Sequence, residues 1–364
     1  MIEAAQNVID DAIRRRVCPA ATAEVGTSAG PTWSCAAGAL TFDPEAVRAD
    51  ISTPFDLASL TKVIATTTLV MDLLAARRLC LDELVADGFD GWRGRERASV
   101  TVRDLLEHAA GLPARLDGET PEGREAFERA ICATRLEYAP RTRSTYSDLG
   151  FILLGFLVAD RGGASLAEQF DAMTARIFGA APPAADLDGA AASAPRDLAF
   201  ALSAEARRRA APTQPLGDDA RCGRALSGEV HDSYAAALGG AAGHAGLFGT
   251  APSVGAFGRA VLRAARGDRS GGFSPDLVTA FLRKSAVPGS SRAMGWDTML
   301  PTSSCGARMS TSAFGHTGFT GTSLWIDPER DRYFVLLTNR ACGGGTLDDM
   351  RAVRRAFHDA LGVR

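Results

Sequence analysis

The feature that most restricts the fold of this 364-residue chain is the stretch from 59 to about 76. Its apolar residues Val63, Ile64, Leu69, Val70, Leu73 and Leu74 leave little polar surface, the pattern of a helix buried between two layers rather than one half in water. A chain with such a helix needs structure on both sides of it. A chemical group at the N-terminal end of that helix, near Ser59, is held rigidly.

The rest of the chain supplies those layers. Residues 1–16 have an apolar side made of Ile2, Val8, Ile9 and Ile13 and read as an amphipathic helix packed on a sheet. Two short strands are expected at 20–25 and 32–37 around a Gly-Pro turn, and an antiparallel hairpin at 323–327 and 333–338 around the turn 328–331. From about 77 to 200, helical patterns alternate with loops and β-branched runs are few. The run 151–159 reads as a core helix, too short to cross a bilayer and interrupted by Gly155. Residues 180–195, rich in Ala, Pro and Asp, read as a loose connection, and 346–361 return to helical spacing over one face of the sheet. The expected class is α/β (α+β): one catalytic domain over 1–364, with an antiparallel sheet flanked by helices at about 1–76 and 239–364 and a helical subdomain at about 77–238.

Composition removes several functions. A net charge of -3, with arginines scattered among acids and without aromatic interleaving, carries no nucleic-acid footprint. The polar N-terminus has no export pattern, so a cytoplasmic protein without membrane or obligate protein partner is expected. The seven cysteines are dispersed and never form a C-x-x-C pair, and zinc and phosphate-loop motifs are absent. The expectation is therefore chemistry without a metal or cofactor.

Three small constellations could carry chemistry. Ser59-Leu-Thr-Lys62 sets a hydroxyl and an amine on one helix face, within reach of each other. Of 40 basic residues only Lys62 and Lys284 are lysines, and arginine does not lose its proton in a protein. Read alone, the tetrad also fits a core helix whose lysine snorkels. Tyr146-Ser-Asp148 precedes the apolar helix and could present its phenol to that pair, although a loop tyrosine before a helix is usually packing, with Asp148 as the N-cap. His316-Thr317-Gly318 precedes a strand, where a Thr-Gly pair lets substrate backbone lie alongside and offers a main-chain N–H to an oxyanion.

In order along the chain, S-x-x-K, Y-S-D and H-T-G resemble the pattern of the β-lactamase and penicillin-binding-protein superfamily. The stretches Phe55-Asp-Leu-Ala-Ser-Leu-Thr-Lys62, Thr101-Val-Arg-Asp-Leu-Leu-Glu-His-Ala-Ala-Gly-Leu-Pro113, Tyr146-Ser-Asp-Leu-Gly150 and Phe314-Gly-His-Thr-Gly-Phe-Thr-Gly321 resemble its class C-like branch over nearly the whole chain. The resemblance implies a serine hydrolase in which Ser59 is acylated, Lys62 and Tyr146 share proton transfer, and the N–H groups of Ser59 and Phe319 form an oxyanion hole. His316 stands where many relatives have lysine, which weakens a β-lactamase assignment. Asp148 replaces the commoner asparagine, and a carboxylate beside Lys62 would favour the ammonium form.

Gly228-Glu-Val-His-Asp-Ser-Tyr-Ala235 and Leu238-Gly-Gly-Ala-Ala-Gly-His-Ala-Gly-Leu-Phe248 resemble a subgroup that includes cell-wall muropeptide amidases. There, Glu-Asn is typical where this chain has Ser233 and Tyr234. His231, Asp232 and His244, with Thr317, Gly318 and Phe319, are the expected substrate-binding residues, although a hydrogen-bonded brace explains the first three as well and a metal site is a remoter alternative for them. His108 is expected to fix a helix end, and His358 to be solvated and inert. The expected substrate is a small molecule: an amide of a peptidoglycan fragment first, a carboxylic ester second. A silent recognition module is the third reading, which intact Ser59, Lys62 and Tyr146 argue against.

Overall fold

A computed structural model describes residues 1–179, 198–217 and 219–362; the expected connection at 180–195 lies outside the described residues. The strands are β1 (Ala20–Gly26), β2 (Pro31–Gly38), β3 (Phe55–Asp56), β4 (Phe248–Gly249), β5 (Asp297–Thr298), β6 (Phe314–Thr317), β7 (Ser323–Asp327) and β8 (Arg332–Thr338). Six of them form an antiparallel sheet in the order β2-β1-β8-β7-β6-β5. β3 and β4 pair as a separate ribbon. The hairpin expected near the end of the chain is β7 and β8.

Side-chain alternation explains why helices cover both faces of the sheet. Ala21, Ala23 and Val25 of β1, Trp325 of β7, and Phe334 and Leu336 of β8 share one apolar cluster with Ile9 and Ala12 of the helix Ile2–Arg14 and with Met350, Val353 and Phe357 of the helix Leu347–Leu361. The residues between them, Leu324, Ile326, Tyr333, Val335 and Leu337, join the larger cluster with Val254, Phe257 and Val261 of the helix Ala251–Ala265. The chain thus forms the expected antiparallel sheet flanked by helices.

The buried helix after Ser59 begins at Leu60, and every residue from 60 to 71 is buried. A fully buried leucine such as Leu60 contributes about 2–5 kcal/mol relative to alanine, so this helix anchors the larger core. Its first part, Lys62–Thr66, is a widened π turn, and regular α-helix runs only from Thr67 to Ala75. The Thr67 hydroxyl returns to the Lys62 carbonyl at 2.7 Å, which ties off the wide turn directly behind the lysine. The helix Asp148–Gly162 packs beside it and is apolar on nearly all sides. No single described helix is long and apolar enough to cross a membrane.

One expectation for the terminal helix is corrected. His358 is fully buried beside Phe357 and Phe334, not solvated, because it lies on the face that packs against the sheet. Its Nδ1 lies 3.0 Å from the Ser304 carbonyl, and burial pushes the imidazole down to about 4. Four of the seven free cysteines, Cys18, Cys132, Cys305 and Cys342, are buried; Cys80 and Cys222 are exposed.

Candidate active site

Ser59 follows a residue in a conformation that L-amino acids seldom adopt: Ala58 has φ +48°. Asp56 holds that turn. One of its oxygens accepts the Ala58 N–H at 2.8 Å and the other accepts the His231 N–H at 2.6 Å, so the residue before the serine is tied to the distant His-Asp segment. Burial pushes the Asp56 carboxyl up to about 6.

Lys62 is completely buried beneath Ser59. Its Nζ donates to Ser59 Oγ at 3.1 Å, Asp148 Oδ1 at 2.8 Å and the His244 carbonyl at 3.0 Å. Three acceptors match the three protons of an ammonium group. Burial alone would lower the amine's proton affinity, but the Asp148 carboxylate and Tyr146 outweigh it, and the pKa lies above the ordinary lysine value. The Tyr146 hydroxyl donates to Ser59 Oγ at 2.7 Å, and burial raises its pKa as well, against the pull of Lys62. In this resting arrangement Ser59 Oγ accepts from both neighbours.

The helix Asp148–Gly162 is capped by Ser147, whose hydroxyl accepts from Gly150 N. The expected cap, Asp148, is instead the first helical residue. The physical reason is that its carboxylate turns to Lys62. His108, expected to fix a helix end, does more: it has φ +53° just beyond the helix Val102–Leu106, and its Nδ1 accepts the Ser147 N–H at 3.0 Å. Its ring lies 4.8 Å from that of Tyr146, so the tyrosine loop rests on it.

Peptide planarity orients two main-chain N–H groups. The Ala58 carbonyl accepts the Thr61 hydroxyl at 2.7 Å, so the Ser59 N–H of the same trans peptide points the opposite way. Likewise the Gly318 carbonyl accepts from buried Arg354 at 2.7 Å, which turns the Phe319 N–H away from the terminal helix. Arg340 holds the next carbonyl, that of Phe319, at 2.6 Å. Arg354 and Arg340 act from well beyond the motif in sequence.

His316 is buried, with its ring 5.9 Å from that of Tyr146. Its Nδ1 lies 2.8 Å from the Thr317 carbonyl, which can only accept, so Nδ1 carries the hydrogen. Burial, with Lys62 and Arg292 adding to it, pushes this imidazole down to about 4, and it is neutral at ordinary pH.

The cavity above the serine, about 370 Å³, is lined by Ser59, Tyr146, Asp148, His231, Asp232, His244 and Phe319, among others. Neither Lys62 nor His316 lines it. Thr317 lines a neighbouring polar cavity with Arg292, Arg351 and Arg354, while Gly318 packs against Leu57 and Thr322. The glycine-rich segment reaches the site because Gly155 and Gly243 touch: a Cβ on Gly243 would lie 2.0 Å from the Phe151 carbonyl. That contact brings the His244 carbonyl to Lys62. His231 stacks on Phe319, with ring centres 5.2 Å apart.

One residue at the centre of the cavity has no counterpart in the sequence expectations. Arg115 donates to Asp148 Oδ2 at 3.3 Å, to Asp232 Oδ2 at 2.8 Å and to Ser233 Oγ at 3.2 Å, and its guanidinium lies 3.8 Å from the centre of the Tyr234 ring. Asp232 Oδ1 in turn meets His244 Nε2 at 2.8 Å. Burial would raise the Asp232 carboxyl, but His244 and Arg115 outweigh it and hold it well below the usual carboxylate range. Asp148, Asp232 and His244 bring ligand atoms within 4.8 Å of one another, as a metal site would. The Arg115 guanidinium already bridges the two carboxylates there.

A serine hydroxyl set between a buried lysine and a tyrosine, in a cavity beside an antiparallel sheet, is the arrangement that the resemblance to the β-lactamase fold implies. The Beta-lactamase family profile matches residues 9–357, and the chain belongs to that family. It is 27% identical over 316 residues to a Salmonella gallinarum (strain 287/91 / NCTC 13346) protein named "Putative D-alanyl-D-alanine carboxypeptidase", covering 81% of this chain and 71% of that one. An Escherichia coli O157:H7 protein of the same name is 28% identical over 319 residues, covering 81% and 70%. Among solved structures, EstCE1, a hydrolase with promiscuous acyltransferase activity, superposes with TM-score 0.74 at 19% identity over 98% of each chain. A class C β-lactamase from Rhodobacter sphaeroides superposes with TM-score 0.73 at 17% identity over 99% of each.

Proposed function

We propose that this protein hydrolyses an amide of peptidoglycan-derived fragments through an acyl-enzyme on Ser59, as an amidase or D,D-peptidase. The observation that carries the reading is Ser59 Oγ lying 3.1 Å from Lys62 Nζ and 2.7 Å from the Tyr146 hydroxyl on the wall of the cavity. Loss of one proton from the Lys62–Tyr146 pair turns a donor into an acceptor, and the pair then takes the Ser59 hydroxyl proton. Oγ bonds to the carbonyl carbon, and the tetrahedral oxyanion is met by the Ser59 and Phe319 N–H groups. The carbon–nitrogen bond breaks as the pair returns the proton to the leaving amine. Water repeats the sequence on the acyl-enzyme, releasing the acid and restoring Ser59.

Several observations support the amide reading. The relatives at 27–28% identity carry a carboxypeptidase name. The two segments that resemble the muropeptide-directed subgroup meet in the cavity through Asp232 and His244. With the cytoplasmic location expected from the sequence, the substrates that fit this reading are soluble wall fragments. A second reading, a carboxylesterase, is favoured by the neutral His316, by the apolar Leu216 and Phe319 at the cavity wall, and by Ser233 and Tyr234 being engaged with Arg115.

Intact-mass measurement and kcat/KM in one buffer, with a MurNAc-peptide, a D-Ala-D-Ala peptide, a short-chain ester and nitrocefin, separates the two. The expected result is a Ser59 acyl adduct and fastest turnover with one of the wall-derived amides. Rapid ester turnover with both amides at the no-enzyme rate would transfer the assignment to the esterase. An adduct that forms and never leaves would mark a recognition module.

A further inference from the structure

Arg115 is bound by the two positions at which this chain departs from the muropeptide-directed pattern. Ser233 accepts from Nη2 at 3.2 Å, and the guanidinium sits over the Tyr234 ring, 3.8 Å from its centre. The Tyr234 hydroxyl is itself fixed, accepting the Leu116 N–H at 3.1 Å. What this cradle delivers is a cation 3.3 Å from Asp148 Oδ2, on the carboxylate oxygen opposite the one that meets Lys62. The charges therefore alternate along one line: Lys62, Asp148, Arg115, Asp232.

We infer that Arg115 is a positioning residue that draws one oxygen of Asp148 away from Lys62 and so keeps the buried amine–phenol pair able to exchange a proton with Ser59. The inference rests on the acyl-enzyme reading above and gives it a requirement. With its carboxylate turned wholly on Lys62, Asp148 would hold the ammonium more firmly, and the form of the pair that accepts the serine proton would become scarcer. Arg115 offsets this by sharing Asp148, whose other oxygen meets Lys62. The other charged or titratable groups around the pair are Arg292, whose guanidinium lies 5.0 Å from the Tyr146 ring centre and pairs with Asp297, and the buried imidazoles of His108 and His316. Asp232 and His244 close the far side. None of these contacts the free oxygen of Asp148 as Arg115 does.

The chain's composition makes a direct test possible. Lys62 and the exposed Lys284 are its only lysines, so full-length protein carrying [13Cε]-lysine shows two side-chain resonances, one buried and one serving as an internal reference. In Arg115→Gln the Lys62 titration midpoint is expected to rise by about one pH unit, and Asp148→Asn to lower it by at least as much. Arg115→Lys should return it at least halfway to wild type. In the Asp148→Asn background, Arg115→Gln should shift the midpoint by less than half its effect in wild type. The Ser59 acylation rate, read by intact mass with a short-chain ester, should move its alkaline limb in the same directions. Should Arg115→Gln misfold, Ser233→Ala is expected to give the same upward shift at smaller size. A Lys62 midpoint unmoved by Arg115→Gln, or unmoved in folded Ser233→Ala and Arg115→Lys if the first does not fold, overturns the inference, because a merely structural role would lower rates without moving that resonance. Absence of any Ser59 adduct beside a shifted midpoint would instead overturn the acyl-enzyme reading and leave the electrostatic role of Arg115 standing.

Discussion

Two acids in this fold each lie beside a tyrosine, and they are treated in opposite ways. Asp148, partly buried, faces two cations, Lys62 at 2.8 Å and Arg115 at 3.3 Å, brought from separate segments of the chain. Glu24, on β1 and buried in the core, accepts the Tyr333 hydroxyl at 2.7 Å and has no ion-pair partner among the described residues. Burial pushes the Glu24 carboxyl up to about 7, with Tyr333 and Arg259 only partly opposing it. What separates them is contact: among the described residues the fold sets two cations against the Asp148 carboxyl, whereas Arg259 acts on Glu24 without forming an ion pair.

The largest break in the comparison comes from the nucleophile. Ser59→Ala is expected to lower turnover on the order of 10⁴-fold or more with the fold intact, since no other serine here is paired with a buried lysine. Full activity in a purified, folded variant would remove the centre from the mechanism altogether. Next in size, Lys62→Arg should be nearly as damaging as Lys62→Ala, each losing roughly 10³-fold, because arginine keeps the charge and cannot take the proton. If arginine restores turnover, Lys62 is an electrostatic anchor and Tyr146 alone is the base.

Asp148→Asn sharpens the comparison by making the active-site acid neutral. Asp148 raises the proton affinity of both Lys62 and Tyr146, so its loss lowers both, and the alkaline-favoured limb of the pH–rate profile should move down by about one pH unit. At a pH below that limb the variant is then faster per folded molecule than wild type unless asparagine disturbs the geometry. A limb at the wild-type position would show that the carboxylate does not control the pair.

What could be read from the sequence follows from how far each interaction reaches. The buried helix after Ser59, the hairpin of β7 and β8 and the flanked antiparallel sheet rest on local periodicity, and the S-x-x-K pair spans a single helical turn. The π turn at Lys62–Thr66 left no such trace, since the apolar pattern of a wide turn and a regular one is nearly the same over five residues. Ser147 and Asp148 are both good caps, and only Lys62, 86 positions away, decides between them. Arg115 was invisible for a related reason. It meets Asp232 across 117 positions, and nothing local distinguishes it among 38 arginines. His358 was misplaced because its arginine-rich neighbours make the terminal helix look solvated on all sides but one, whereas the packed face is wide enough to take the imidazole in.

The smallest expected effect tests the other half of the comparison and leaves catalysis alone. Gly255 of the helix Ala251–Ala265 presses on Glu24 so closely that a Cβ there would come 1.9 Å from its Oε1, which closes that side of the carboxyl. With a folded value of about 7 against an unfolded value near 4.3, Glu24 holds its proton more tightly in the folded chain. Its contribution to stability is therefore complete below about pH 4 and is lost as pH rises through 7, a difference on the order of 3 kcal/mol before any relaxation of the site. Glutamine keeps an oxygen for the Tyr333 hydroxyl and removes the charge. Glu24→Gln should then be more stable than wild type by about 1–3 kcal/mol at pH 8, and the difference should disappear at pH 4. Urea unfolding at the two pH values measures it. Parallel stability curves for the two proteins across that range would mean that Glu24 finds compensation in its charged form, and that the two acids differ less than their surroundings do.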